Sequence, residues 1–176
     1  NSSRRWKPVS RPSRNIASQA LMGQPNIEFD PRRFIWLGAT SLPSRVCVKW
    51  HTVPINSPTD LFTQEFIVAA SGSGTSTSIL PTVFNHVLGT RIRIVLGYKG
   101  TNDAVLAAER GEVQGVCASY GQFRVFEQLF RDGKLAYLLR AEEEPIPEIP
   151  DVPSIFDYAK EPEQRYASVE QLSEDL

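Results

Sequence analysis

The feature that most constrains the fold is a regular alternation of strand-like and helix-like runs between residues 65 and 141. Short apolar runs predict strands, and longer runs with apolar residues on one face predict helices. In chain order, the predicted strands and helices are 65–70, 76–88, 91–96, 101–110, 112–117, 120–132 and 135–141. Three consecutive strand–helix units favour an α/β fold with a mostly parallel sheet flanked by helices.

The segments on either side add shorter elements. In "SRVCVKWHT", Val46, Val48 and Trp50 alternate with other residues, which predicts one more strand. Ser57-Pro58 and Ser154 are typical of helix starts. We predict that residues 1–23 form a poorly ordered N-terminal segment and that the acidic tail after Lys160 forms a frayed helix.

Composition and charge exclude several classes of protein. The 176 residues are 41% hydrophobic and 22% charged, which is typical of a globular protein, and no apolar run reaches membrane-spanning length. The net charge of -1 is uneven, with five bases and no acid in residues 1–27 and eleven acids in residues 142–176. A basic end either binds nucleic acid or is simply solvated. No aromatic interleaving follows it, so we predict no nucleic-acid partner.

The segment "AASGSGTSTS" joins the predicted strand 65–70 to the predicted helix 76–88. The first N–H groups of a helix lack internal partners and carry partial positive charge. Gly72 and Gly74 allow an anion to approach the backbone, and hydroxyls supply neutral donors. This pattern predicts a site for a small anion held without a formal countercharge, formed by Ser71, Gly72, Ser73, Gly74, Thr75 and Ser76. The alternative is a plain strand–helix turn with Ser and Thr caps.

Other readings of this loop lack a required residue. A phosphate-binding Walker loop needs Lys where Thr75 stands, and a dinucleotide fingerprint needs a small residue where Thr77 stands. A nucleophile elbow needs Gly where Ser71 stands. The histidines, His51 and His86, form no metal or catalytic constellation. We therefore predict neither an enzyme nor a metal or cofactor site.

Two further segments are predicted to reach the same edge of the sheet. Gly97 and Gly100 bracket Tyr98 and Lys99 after the strand 91–96, and Ser119-Tyr120 follows the next strand. Carboxyl ends of parallel strands meet at one edge, where ligands collect. We add Gly97, Tyr98, Lys99, Gly100 and Ser119 to the predicted ligand-binding residues. Lys99 is either a cation for the ligand or a solvent-exposed side chain.

The two cysteines, Cys47 and Cys117, have no metal-ligand spacing. They could form a disulfide, but two buried free thiols are the favoured interpretation.

The central block "GTRIRIVLGYKGTNDAVLAAERGEVQG" resembles the signature of the tripartite tricarboxylate transporter receptor family, the Bug proteins. The resemblance covers about residues 24–160 and includes, in the family's order, "DPRRFIWLGATS", "VKWHT", "AASGSGTSTSILPTVFNHVLGT" and "PEIPDVPSIFDYA". It implies a two-lobed type II periplasmic binding protein that captures a small carboxylate in the periplasm and delivers it to a membrane permease. In that comparison Ser71–Thr75 matches the ligand loop of the second lobe.

The sequence departs from the family at both ends. The Gly-rich ligand loop of the first lobe and the family's last part have no counterpart, and no signal peptide is visible. The resemblance thus implies first-lobe parts at 24–62 and 135–176, which include crossover strands, and a second lobe at 63–134. The alternative function is an orphan or regulatory ligand-sensing module without a transport role, or a truncated remnant that does not bind.

An incomplete first lobe would leave apolar surface uncovered. We expect such surface at Phe34–Trp36, Val46–Trp50 and Leu135–Leu139, and it would favour homo-oligomers.

Overall fold

The computed structural model describes residues 44–159. The predictions for the N-terminal segment, for Phe34–Trp36 and for the acidic tail lie outside these residues. The strands are β1 (Arg45–Trp50), β2 (Phe66–Ala70), β3 (Ile92–Leu96), β4 (Gly115–Ser119) and β5 (Leu135–Arg140). The α-helices are α1 (Ser76–Val83), α2 (Thr101–Glu109), α3 (Tyr120–Phe123) and α4 (Glu127–Arg131). Short 3-10 helices span Pro58–Phe62, Arg124–Phe126 and Ile155–Tyr158.

The strands form one five-stranded sheet in the order β3-β2-β4-β1-β5. Strand β2 pairs in parallel with β3 on one side and with β4 on the other. This confirms the prediction that the three strands are parallel neighbours. Strand β1 is antiparallel to both β4 and β5, so four strands run one way and β1 runs against them.

The direction of the chain reverses around β2. The connection from β2 leads outward to β3, and the connection from β3 leads back across β2 to β4. Right-handed crossovers in opposite directions place α1 and α2 on opposite faces of the sheet. The connection from β4 leads the other way, across β1 to β5, so the connections of the neighbouring strands β2 and β4 leave in opposite directions. In open α/β sheets, ligands bind at the carboxyl ends of strands at such a reversal point.

Two predicted helices are interrupted. The segment 76–88 is α-helical only to Val83 and ends in a π-helical turn, Phe84–Leu88. Asn85 in this turn holds the start of β3, because its amide donates to the Ile92 carbonyl (2.7 Å) and accepts from the Ile92 N–H (2.9 Å). The segment 120–132 is divided into α3, the 3-10 turn and α4. The predicted helix starts at Ser57 and Ser154 are confirmed, since both side chains cap 3-10 helices.

Most of the apolar surface that we expected to be uncovered at Val46–Trp50 and Leu135–Leu139 is buried, so the prediction was wrong for these two segments. Val46 and Val48 of β1 and Leu139 of β5 have 0% exposure, and Trp50 and Leu135 are also buried. The reason is that these side chains pack in one hydrophobic core with residues of the later segments, among them Phe123, Ile155 and Phe156. These two segments therefore give no basis for homo-oligomers.

The cysteines form a disulfide, which corrects the favoured interpretation of two free thiols. Cys47 and Cys117 lie directly opposite each other in the β1–β4 pairing, and both have 0% exposure. The bond fixes the antiparallel strand β1 to the parallel part of the sheet.

The division of the chain into lobe segments at 24–62, 63–134 and 135–176 stays a prediction. Among the described residues, β1 and β5 belong to the same sheet as β2, β3 and β4.

Candidate ligand-binding site

The structure brings the predicted ligand-binding segments to one edge of the sheet. Strands β2, β3 and β4 are parallel, so their carboxyl ends carry Ser71–Ser76, Gly97–Gly100 and Ser119 on the same side. The segment Gly97–Gly100 is tied to the end of β2, because the Tyr98 N–H donates to the Ala70 carbonyl (3.3 Å). The antiparallel strand β1 starts at this edge, and the Ser44 carbonyl accepts from the Tyr120 N–H (2.7 Å).

The loop after β2 is held by a cluster of hydroxyl groups. Thr77 Oγ1 accepts from the Ser71 N–H (3.1 Å) and lies 3.2 Å from Ser71 Oγ and 2.9 Å from Thr75 Oγ1. Ser78 Oγ accepts from the Thr75 N–H (3.2 Å) and donates to the Gly72 carbonyl (2.8 Å). Thr77 and Ser78 are only 8% and 6% exposed. The hydroxyls of Ser71 and Thr75, predicted as ligand donors, are therefore engaged within the loop, while Ser73 is exposed and Ser76 half-buried.

The two longer helices that start at this edge differ in charge. The first turn of α1 contains no acidic residue, and the turn before it uses Gly74 with φ +78°. The first turn of α2 contains Asp103, whose carboxylate accepts from the Lys99 N–H (3.2 Å). A carboxylate at a helix start occupies the position that an external anion would take. The N-terminus of α1 is thus the better anion site of the two.

A groove of about 390 Å³ lies beside α2. The Thr101 hydroxyl donates to Gln122 Oε1 (2.8 Å) within it. Of the predicted ligand-binding residues, Lys99 and Gly100 line this groove and the Ser71–Ser76 loop does not. Its other lining residues are Asn102, Asp103, Gly121 and Val125. Lys99 is exposed, and the Asp103 carboxylate bonds to its backbone N–H.

Aromatic packing anchors the helices after β4 to the sheet. Tyr137 of β5 stacks on Phe130 with ring centroids 4.2 Å apart and contacts Tyr120 at 6.0 Å. Burial raises the pKa of Tyr137 to about 12, and burial is also the main cause that raises the pKa of Tyr120. Both phenols are uncharged at neutral pH, so Tyr120 places no negative charge near an anion at this edge.

An acidic side chain is buried where β5 ends. Glu142 Oε1 accepts a hydrogen bond from the Arg45 N–H, whereas Oε2 is a buried atom without a partner among the described residues. Arg140 orders the same segment by donating to the carbonyls of Glu142, Glu143 (2.7 Å) and Glu144 (3.1 Å). Burial raises the pKa of Glu142, against the opposing effects of the Arg45 N–H and the positive charges of Arg45 and Arg140.

We expect the raised pKa of Glu142 to appear in the pH dependence of stability. The folded chain binds the Glu142 proton more tightly than the unfolded chain, so this proton stabilises the folded state. The stabilisation is fully present below the pKa of the unfolded chain and is lost as pH rises through the pKa of the folded chain. Glu142→Gln keeps an oxygen for the Arg45 N–H and removes this titration. In urea unfolding from about pH 3 to about pH 8, the variant should gain stability relative to the parent as pH rises. A difference that stays constant over this range would contradict the assignment.

Other kinds of site find no support in the described residues. Residues 44–159 contain no group of His, Cys, Asp and Glu side chains that could hold a metal ion. Both histidines are exposed. Within the same residues, no helix is long and apolar enough to cross a membrane.

Comparison with known proteins identifies the class of the fold. No protein-family model and no curated protein matches the sequence. Solved structures do match: MatC from Rhodopseudomonas palustris with bound malate is 18% identical, with a TM-score of 0.54 over 76% of this chain and 52% of that chain. An adipate-bound protein from R. palustris gives 15% identity and a TM-score of 0.58 over 74% of this chain and 50% of that chain.

A third match is a TctC solute-binding protein from Polaromonas, at 16% identity and a TM-score of 0.55 over 74% of this chain and 52% of that chain. The fold is thus that of the TctC/Bug-type periplasmic solute-binding proteins, which confirms the sequence resemblance at the level of the fold. The chain spans about half the length of these structures. The Polaromonas protein is a solute-binding protein, which fits the prediction of no enzymatic activity.

The sequence prediction missed several residues of this edge. Thr77 and Ser78 were treated as ordinary helix positions, although two adjacent polar residues that precede Ile79 and Leu80 at a helix start indicate a structural role. Asp103 also carried a local signal, as an acid in the first turn of a predicted helix and four residues from Lys99. Gln122 carries none, since its contact with Thr101 depends on the packing of separate segments.

Proposed function

We propose that the chain is an extracytoplasmic solute-binding protein that binds a small carboxylate at the carboxyl edge of its sheet, for delivery to the permease of a tripartite tricarboxylate transporter. The observation that carries this proposal is the Ser71–Thr75 loop, which lies at the reversal point between β2 and β4 and leads into a helix start without acidic residues. Support for the ligand class comes from the shared fold, since two matched proteins hold malate and adipate.

The loop Ser71–Ser76 is proposed to bind the ligand through its backbone N–H groups and through the hydroxyls of Ser73 and Ser76. The hydroxyls of Ser71 and Thr75 bond within the loop and shape it. Gly97, Tyr98, Lys99, Gly100 and Ser119 are proposed to flank them at the same edge. A carboxylate would accept N–H groups at about 2.8–3.0 Å from the loop before α1. Because the edge is open to solvent, we expect weak affinity, on the order of millimolar.

Periplasmic location is part of the same proposal. The disulfide between Cys47 and Cys117 supports it, because such bonds persist in oxidising compartments. Thiol labelling of denatured cell extracts should find both cysteines oxidised, and free thiols there would contradict this location.

The ligand site is tested by replacing Gly74. Gly74 has φ +78°, where a β-branched side chain is strained and would block approach to the backbone. Gly74→Val should abolish the response of the chain to malate and adipate, measured by NMR shifts. Lys99→Ala should weaken binding by about threefold or less if neutral donors hold the anion.

A matched control separates backbone strain from loss of the site. Gly111 also has positive φ (+76°), and a Cβ there would meet nothing within 4 Å. It follows α2, away from the ligand edge, so Gly111→Val should bear similar strain and still bind. If Lys99→Ala abolishes binding while Gly74→Val retains it, the site is centred on the lysine and the proposal is wrong.

A further inference from the structure

The Gly72 carbonyl is held by three donors from the start of α1. It accepts the Thr75 hydroxyl (2.8 Å), the Ser78 hydroxyl (2.8 Å) and, at 3.4 Å, the Thr75 N–H. A carbonyl oxygen has two lone pairs, so the two hydroxyls alone satisfy it. The carbonyl is therefore turned towards the helix and away from solvent.

The orientation of this carbonyl fixes the next N–H group. The described residues contain no cis peptide bond, and in a trans peptide the carbonyl and the following N–H point in opposite directions. The Ser73 N–H accordingly points away from α1. Within residues 44–159 it donates to no acceptor, and Ser73 is exposed.

The orientation of this peptide should strongly affect the binding of an anion. A carbonyl oxygen that faced the ligand would present negative partial charge, whereas an outward N–H presents a donor. The side chains that set the orientation come from within the fold: Ser78 is 6% exposed, and its hydroxyl also lies 3.0 Å from the Thr75 carbonyl.

From this geometry we infer that Thr75 and Ser78 are positioning residues of the ligand site, which turn the Gly72–Ser73 peptide so that the Ser73 N–H faces the carboxylate. The hydroxyls of Thr75 and Ser78 donate to the Gly72 carbonyl, so the two residues act on the ligand through the orientation of the peptide and not by direct contact. The inference rests on the proposed function, and it assigns to Ser78 a role that the sequence motif did not indicate.

The test uses Ser78→Ala in the full chain, with Thr82→Ala as control. Thr82 lies on the same helix, and its hydroxyl donates to the Ser78 carbonyl at the same distance, 2.8 Å. Each variant therefore loses a hydroxyl–carbonyl hydrogen bond of α1, but of the two only Ser78→Ala removes a donor from the Gly72 carbonyl, which leaves that carbonyl to Thr75 alone.

In Ser78→Ala we expect the Gly72 carbonyl carbon to shift upfield in the ligand-free NMR spectrum. We also expect the downfield shift of the Ser73 amide proton on malate addition to shrink, and malate affinity to fall about fivefold or more. Thr82→Ala should change affinity by less than about twofold.

A Ser78→Ala variant with parental malate affinity would overturn the inference, even if its stability were reduced, because capping alone would explain that result. An unchanged Gly72 signal would overturn it as well. If no amide of residues 71–76 in the parent responds to malate or adipate, the proposed function fails, and the Gly72 signal still decides whether Ser78 orients the carbonyl.

Discussion

Replacing Gly115 by Ala should lower the free energy of unfolding by about 3 kcal/mol or more, enough to leave much of the chain unfolded. Gly115 lies in β4, between β1 and β2, where an added Cβ would overlap the Val48 carbonyl oxygen and lie 2.6 Å from Cζ of Phe66. Neither neighbour can yield cheaply, because one is sheet backbone and the other is a fully buried ring. Urea unfolding followed by circular dichroism measures the loss.

Gly121→Ala provides the control for this substitution. Gly121 is in α3 and exposed, and its Cβ would meet nothing within 4 Å. We expect this variant to stay within about 1 kcal/mol of the parent, on the stable side, because Ala favours a helix. Equal stability of the Gly115 and Gly121 variants would show that β4 is not packed between β1 and β2 as described.

Removal of the disulfide is expected to have an effect of similar size. Cys47 and Cys117 are separated by 70 residues, and closing a loop of this length stabilises a fold by about 4 kcal/mol in the chain-entropy estimate. Cys47→Ala/Cys117→Ala should therefore unfold at much lower urea concentration than the oxidised parent.

The reduced parent offers an internal comparison. Its unfolding curve in reductant should resemble that of the double variant, because reductant reaches the bond when the chain unfolds. Both sulfur-bearing residues are fully buried, so reductant should leave the folded parent unchanged in the absence of urea. A double variant within about 1 kcal/mol of the oxidised parent would indicate that the two cysteines are not bonded.

The parts of the fold that local pattern dictates could be predicted. Short apolar runs such as 65–70 and 91–96 that alternate with helices favour a parallel sheet covered by those helices. The parallel pairing of β2 with β3 and β4 agrees with this prediction. Capping residues such as Ser57 and Ser154 also carry their signal in the sequence itself, since they bond to N–H groups two residues away.

Features that depend on long-range packing could not be predicted. The interior position of β1 arises from pairing with β4 and β5, and periodicity gives a strand's faces but not its neighbours. The same limit hid the disulfide, because the register that opposes Cys47 to Cys117 is a property of the sheet. The π-helical turn at Phe84–Leu88 was missed because Asn85 bonds to β3 rather than within its helix.

For the ligand site, sequence indicated the edge and the loop but not the use of each hydroxyl. Hydroxyl donors were assigned to the ligand by residue type, whereas Thr75 and Ser78 direct their protons to the Gly72 carbonyl. Polar side chains next to a turn can bond to local backbone or to a ligand, and only their orientation separates the two roles.

The central claim, that a carboxylate binds at the loop between β2 and α1, is tested most directly by a crystal structure of the chain grown with malate. We predict carboxylate density at the start of α1, with oxygens about 2.8–3.0 Å from backbone N–H groups of residues 72–76 and within reach of the Ser73 N–H. Malate bound instead in the groove lined by Lys99, Thr101 and Gln122, with the α1 start free of ligand, would contradict the claim.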